Sequence, residues 1–260
     1  MKTPKILIAI AFATVGHYGH AEDLPHTAAT PILVELFTSE GCSSCPPADA
    51  VLQKMDASQP IPGAQLIVLS EHVDYWDHDG WKDAYSSHLV TERQIAYVHA
   101  LRLSEPYTPQ IIVDGAAELR LNSGQPISQI LRPAPASQKV QVRIGPITVE
   151  AKKPPLLRTH IETDSISDKQ NADVYVAVAL DHAESQVLHG ENGGRHLQHV
   201  AVLQSLTKIG KLEKGKSFAR DFQAKLTPAL DSANIRIVVF LQEPGPGRVV
   251  GAAMQKYSAQ

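Results

Sequence analysis

The apolar positions of this chain fall into short runs whose spacing changes part-way along its length. In the first half, strand-like and helix-like runs alternate. Pro31–Phe37 is apolar except for Glu35 and reads as a buried strand. Pro46 or Pro47 can open a helix through about Met55, because proline suits a first turn whose N–H groups lack partners anyway. Gln65–Leu69 reads as a second strand. From Asp83 to about Leu103, Leu89, Ile95, Ala96, Val98 and Leu101 recur at helical spacing. Gln110–Val113 is a third strand, and Asp114-Gly115 marks a tight hairpin into Ala117–Leu121. Ser123 can cap a last helix to about Leu131. The predicted order is β-α-β-α-β-β-α.

Leu131–Gln138 is rich in Pro, Ala and Ser and reads as a linker. Beyond it the pattern turns to strands: Val140–Ile144, Thr148–Ala151, Asp173–Leu180, Gln198–Leu203 and Ile235–Leu241. The last continues through a Pro-Gly turn at Glu243–Arg248 into Val249–Ala253. This predicts a mostly-β, sandwich-like domain over residues 139–257, after an α/β domain over 30–133.

Lys2 and Lys5, the apolar core Ile6–Val15 and the small residues Gly19-His20-Ala21 have the layout of a secretory signal over residues 1–21, cleaved after Ala21. The core is about half the roughly 20 residues of a membrane span, and no lipid-anchor cysteine follows it. Export would place the chain in an oxidising compartment such as a periplasm. The formal net charge of −3 is mildly acidic and unclustered, which argues against nucleic acid or an anionic membrane surface as partner.

The chain has 2 cysteines, both in Gly41-Cys42-Ser43-Ser44-Cys45-Pro46-Pro47, between the first strand and the first helix. A helix N-terminus favours thiolate over thiol, and thiolate attacks disulfides. In such a turn the first sulfur, Cys42, faces solvent as nucleophile, and Cys45 resolves the mixed disulfide. A local stapling disulfide fits the same spacing, although a short loop gains little from closure. Half of a metal site fits it too, but tetrahedral zinc commonly takes two such pairs, and no second pair exists. Three Met, including Met1, give copper handling no Met-rich segment.

The element order with Cys-x-x-Cys after the first strand resembles the minimal thioredoxin/glutaredoxin fold, whose second hallmark is a cis-proline facing the disulfide. Tyr107-Thr108-Pro109-Gln110 stands in the matching place. More narrowly, Glu35–Asp49, His72-Val-Asp-Tyr-Trp76, Gly80-Trp-Lys-Asp83, Tyr107–Gln110 and Gly190–Arg195 with His199-Val200 resemble a family of secreted bacterial proteins. That family carries a domain of unknown function numbered 1223 and is classed as thioredoxin-like.

The resemblance implies catalytic roles for Cys42 and Cys45. It implies a buried carboxylate beneath the sulfurs, a place Glu35 takes only if the register of its strand turns it away from the face of Val34 and Leu36, and a substrate groove at Tyr107, Thr108, Pro109 and Trp76. No organic cofactor or metal is needed for this chemistry. The partners would be a protein or small-molecule thiol and a second redox protein that recharges the pair. Glu40 is expected to be solvated in its loop, and Asp49 to complement the helix dipole. The segment His72–Asp79 reads as a hydrogen-bonded loop, a recognition lip or a metal site. Trp81 is expected where the domains or this loop meet. His196 and His199, three apart in a strand, face opposite sides, which weakens them as a ligand pair.

Overall fold

The computed structural model describes residues 29–78, 80–121, 131, 139–167, 170–227 and 232–258. The segment read as a secretory signal, Asp79, the helix predicted from Ser123 and most of the linker lie outside them.

Strand β1 (Thr30–Thr38) runs parallel to β2 (Ala64–His72) on one side and antiparallel to β3 (Gln110–Val113) on the other. Both neighbours bury it, which explains its nearly unbroken apolar run. Helix α1 (Pro46–Ser58) follows β1, with proline in its first turn and Gln59 closing it in the left-handed region. Helix α2 spans His88–Ala100, five residues later than the spacing predicts. The preceding turn is held as a loop: Asp77 accepts from the Asp83 N–H and the Ser86 hydroxyl. Strand β4 (Ala117–Leu119) returns along β3. In their hairpin both Asp114 (φ 50°) and Gly115 (φ 61°) are left-handed. A side chain at Gly115 would also meet the Gly247 carbonyl oxygen.

The second half supplies β5 (Val142–Ile144), β6 (Thr148–Glu150), β7 (Leu156–Thr163), β8 (Ala172–Gln186), β9 (His196–Leu212), β10 (Phe218–Lys225), β11 (Ile235–Gln242) and β12 (Val249–Lys256). The sequence reading omits β7 and β10, although the alternation of Leu157, Thr159, Ile161 and Thr163 toward the core was visible.

The division at the linker does not interrupt the sheet. Strand β9 joins β2 in parallel, giving one eight-stranded sheet ordered β12-β11-β8-β9-β2-β1-β3-β4. A four-stranded sheet of β5, β6, β7 and β10 covers its β8, β11 and β12 end through a core that includes Ile161, Val176, Ile237 and Val239. A sandwich therefore exists, but one of its leaves is continuous with the N-terminal sheet. On the same large sheet, α1 packs Leu52 and Met55 over Val34, Val68 and Ala201. The opposite face packs Leu33, Phe37 and Leu69 with Val90 and Tyr97 of α2 and with Val238, Phe240 and Ala252. This sheet curls, so that the Val249 N–H donates to the Asp114 carbonyl at 2.7 Å.

Inside the curl lie Glu35, Glu71 and Arg93. Arg93 donates to Glu35 through Nε at 2.7 Å, and its Nε is 3.8 Å from Glu71. Tyr97 also donates to Glu35, at 2.6 Å. One arginine thus faces two buried carboxyls. Burial first, then the neighbouring Glu35, pushes the Glu71 pKa well above the carboxyl range, although Arg93 opposes them. A carboxyl whose folded pKa is raised contributes stability below the ordinary carboxyl range and loses it as pH climbs toward the folded value. Glu71→Gln should match the parent near pH 4 and exceed it at pH 8, by about 1–3 kcal/mol for a buried group without hydrogen bonds. Urea unfolding at both pH values measures this, and equal stabilities at pH 8 would refute it.

Candidate functional site

The end of β1 delivers the cysteine motif. After Thr38 the chain turns through Ser39–Gly41, and Cys45 becomes the N-cap of α1. The N–H groups of Ala48 and Asp49 donate to the Cys45 carbonyl at 2.8 and 3.1 Å, and the Cys45 N–H donates to the Cys42 carbonyl at 3.2 Å. Cys42 and Cys45 form a disulfide. The Cys42 sulfur lies 3.3 Å from the Ser44 hydroxyl.

The cis-proline loop closes on the motif through Trp76. A Cβ on Gly41 would lie 3.1 Å from Trp76 Cβ, so a side chain there would push the tryptophan back by a few tenths of an ångström. Trp76 Nε1 donates to Thr108 Oγ1 at 2.8 Å, and Thr108–Pro109 is a cis peptide. Gln94 of α2 fixes the same loop from behind, donating to the Tyr107 carbonyl and to Gln110 Oε1. The half-exposed Tyr107, with Pro109, Leu119, Arg120 and Leu121, lines a groove of about 250 Å³.

Three expectations need correction. Cys42 is not solvent-facing: it is 1% exposed. The turn joining β8 to β9 lies against the motif. There Asn192 donates to the Glu40 and Cys42 carbonyls at 2.8 and 2.9 Å, and Glu191 accepts the Ser43 N–H at 3.0 Å. Second, Glu35 is not beneath the sulfurs. Alternation sends Val34 and Leu36 toward α1 and Glu35 to the α2 face, where Arg93 and Tyr97 hold it. Third, Glu40 is not solvated. It is 0% exposed, with Trp81 donating to its Oε2 at 2.8 Å.

A buried polar cluster that sequence reasoning did not assemble lies beside the motif. His199 of β9 points its Nε2 at Glu40, 3.5 Å away, and its Nδ1 at Asp49, 3.8 Å away. The His72 ring lies edge-on to it at 4.7 Å and is bonded to Asp83 at 2.7 Å. Asp83 also accepts the Glu40 N–H at 2.9 Å. Burial opposes a charge on His199, but Asp49 and Glu40 outweigh it and lift its pKa to about 9. His196 faces outward and pairs with Glu184 at 3.2 Å, so the two histidines separate as expected of positions three apart. Ala201, left-handed at φ 53°, breaks the alternation of β9 just beyond His199, so Val200 and Ala201 both enter the α1 core. The segment after β2 is a hydrogen-bonded loop, with Asp74 accepting from Thr91 and bonded to His88. Among the described residues, no group of three or more His, Cys, Asp or Glu is arranged to hold a metal ion, and no helix is long and apolar enough to cross a membrane.

No curated protein matches this chain. Among solved structures it is similar to a structural-genomics protein from Agrobacterium tumefaciens, with a TM-score of 0.67 and 25% identity over 89% of this chain and 96% of that one. It is also similar to HBP35 of Porphyromonas gingivalis, with a TM-score of 0.67 and 16% identity over 88% of this chain and 76% of the other. At that lower identity the likeness speaks for the fold alone. Residues 33–242 match the family described as "Protein of unknown function (DUF1223)". The chain carrying this buried disulfide therefore belongs to the DUF1223 family.

Proposed function

We propose that the protein is an exported thiol–disulfide oxidoreductase of the thioredoxin-like kind, acting on a protein or small-molecule thiol. The observation that carries this reading is the Cys42–Cys45 disulfide at the N-terminus of α1, with Trp76 packed on its turn and bonded to the Thr108–Pro109 loop. The setting of β1 between parallel β2 and antiparallel β3, with the β3–β4 hairpin beyond, supports a thioredoxin-like reading of residues 30–121.

In this reading a substrate thiolate attacks Cys42 Sγ, the Cys42–Cys45 bond breaks and Cys45 leaves as thiolate. The mixed disulfide is then resolved by a second thiol, and the pair is reoxidised by a partner redox protein. Access to Cys42 requires the Glu191-Asn192 turn to move aside, which exchanges three hydrogen bonds to the motif for bonds to water. Tyr107 and Pro109 offer the adjoining groove to the substrate chain.

The burial of Cys42 favours one other reading, a structural disulfide on a binding scaffold. Equilibration with glutathione buffers, read by mass spectrometry, separates the two. A reduction potential between about −120 and −230 mV is the expected result, in the range of exchange-active pairs. A value below about −300 mV matches a structural disulfide and overturns the enzyme reading.

A further inference from the structure

The turn that covers Cys42 is built as a unit of its own. At its base the Gly194 N–H donates to the Val187 carbonyl at 2.8 Å, and the Val187 N–H donates to the Arg195 carbonyl at 3.0 Å. Within it the Gly193 N–H donates to the Gly190 carbonyl, and the Arg195 N–H to the Asn192 carbonyl, at 3.0 and 3.1 Å. Its backbone shape is therefore held without help from the cysteine motif. Gly190 and Gly194, both left-handed, stand on either side of Glu191–Gly193 as pivots with no Cβ to strain. Asn192 is the side chain this unit inserts. It is 0% exposed and spans the Glu40 and Cys42 carbonyls, while its Oδ1 has no hydrogen-bond partner.

Glu191 completes the contact from outside. It is exposed, and its Oε2 accepts the Ser43 N–H at 3.0 Å. The bonds from Ser43 hold its carboxyl below the usual range, so a carboxylate sits on the residue next to Cys42. In the disulfide the Cys42 sulfur is neutral and tolerates it. In the reduced pair the start of α1 favours a thiolate at Cys42. Under the closed turn that thiolate would be buried beside Glu191, and both the burial and the like charge disfavour it. The other ionisable groups around the motif face partners of their own: Glu40 and Asp49 face His199, and His72 is bonded to Asp83. Within the turn, His189 and Arg195 are exposed.

Resting on the exchange reading above, we propose that the Glu191-Asn192 turn is a lid keyed to the redox state of the pair. It closes over the disulfide and is driven off by the Cys42 thiolate, with the Glu191 charge as the key. Glu191 is then a positioning residue: by disfavouring the thiolate it favours the disulfide. By linkage, the factor by which reduction opens the lid equals the factor by which the closed lid favours the disulfide. The closed lid shields the oxidised pair from passing thiols, and the open one presents the reduced pair to its oxidant. Reduction by glutathione balances as follows. A first glutathione thiolate attacks Cys42 Sγ, the Cys42–Cys45 bond breaks, and Cys45 leaves as thiolate and is protonated. A second attacks the glutathione sulfur of the mixed disulfide, releasing glutathione disulfide and the Cys42 thiolate. Of the two protons given up by the glutathione thiols, one goes to Cys45 and the other to water.

The test is hydrogen exchange of residues 187–195 in the oxidised and the phosphine-reduced mature protein, with the equilibrium of the pair in glutathione buffers read by mass spectrometry. In the parent these amides should exchange about fivefold faster after reduction, the scale of one unit-charge repulsion near a protein surface. Glu191→Gln keeps an acceptor for the Ser43 N–H and removes the charge. Its redox difference in exchange should shrink to within about twofold, and its equilibrium constant for oxidation by glutathione disulfide should fall about fivefold. Asn192→Ala removes two of the three bonds to the motif and should speed attack of glutathione on the disulfide about 10- to 100-fold. If that variant fails to fold, the surface substitution Glu191→Gln carries the test alone. Exchange of 187–195 that is the same in both redox states overturns the lid, and an unchanged equilibrium constant for Glu191→Gln overturns its charge as the key. Either result leaves the exchange reading standing. A parent pair that stays oxidised in every glutathione buffer overturns the exchange reading itself.

Discussion

Cys42→Ser is expected to abolish disulfide exchange outright. The chain has 2 cysteines, so no other sulfur can stand in for the nucleophile. A serine hydroxyl at neutral pH neither attacks a disulfide nor forms one. The structural cost should be small, because the bridge closes a loop only three positions wide, whose chain-entropy stabilisation is roughly 2 kcal/mol. Cys45→Ser should behave differently: Cys42 still attacks, and the mixed disulfide persists because nothing resolves it. With glutathione disulfide, the Cys45 variant should accumulate a single glutathione adduct, and the Cys42 variant should form none at its remaining, fully buried thiol. Residual turnover in the Cys42 variant, or an equal adduct on both, would place the reactive sulfur elsewhere and sink the assignment of roles.

The largest loss of stability is expected from Arg236→Met. Arg236 of β11 is 0% exposed and reaches Asp56 of α1 through both terminal nitrogens, at 2.9 and 2.8 Å. It also donates to Asp181 of β8 through Nε at 2.6 Å. Its guanidinium thus ties the helix that follows the cysteines to the sheet supplied by the second half of the chain. Removing it leaves the buried Asp56, 11% exposed, without its cation, while Asp181, 13% exposed, keeps Lys256 at 3.0 Å. Breaking such a buried pair costs about 3–5 kcal/mol, which for a protein of this size lowers Tm by roughly 6–20 °C. The triple variant Arg236→Met, Asp56→Asn, Asp181→Asn should recover a large part of that loss, since it strands no charge. A Tm within 2 °C of the parent for Arg236→Met alone would show that the cluster contributes little.

The parts of the site that were legible in the sequence are those coded over a few consecutive residues. The apolar run of β1, the Cys-x-x-Cys and the prolines of α1 each impose a local conformation, and their order along the chain already places a disulfide at a helix start. Asp114-Gly115 marked its hairpin because both residues had to adopt positive φ. Glu35 illustrates the limit of local reading. The resemblance offered it as the carboxylate under the sulfurs, but strand alternation decides the face, and the face decides that Arg93 rather than the disulfide is its neighbour. Glu40 looked solvated because its own segment is polar. It is buried because Trp81 and the turn at Asn192, 152 positions away, close over it.

The sulfur pair, the helix that follows it and the cis-proline loop are set by neighbours in sequence, where steric and capping preferences act without help from the rest of the molecule. The pairing of β9 with β2, which makes one sheet of the two halves and brings His199 to Asp49 and Asn192 to Cys42, had no local signature. Those contacts span about 150 positions. A strand's own pattern states which of its faces is apolar, not which strand it will lie beside. That choice was made by burial of the curled sheet and its cores as a whole, and with it came the burial of Cys42.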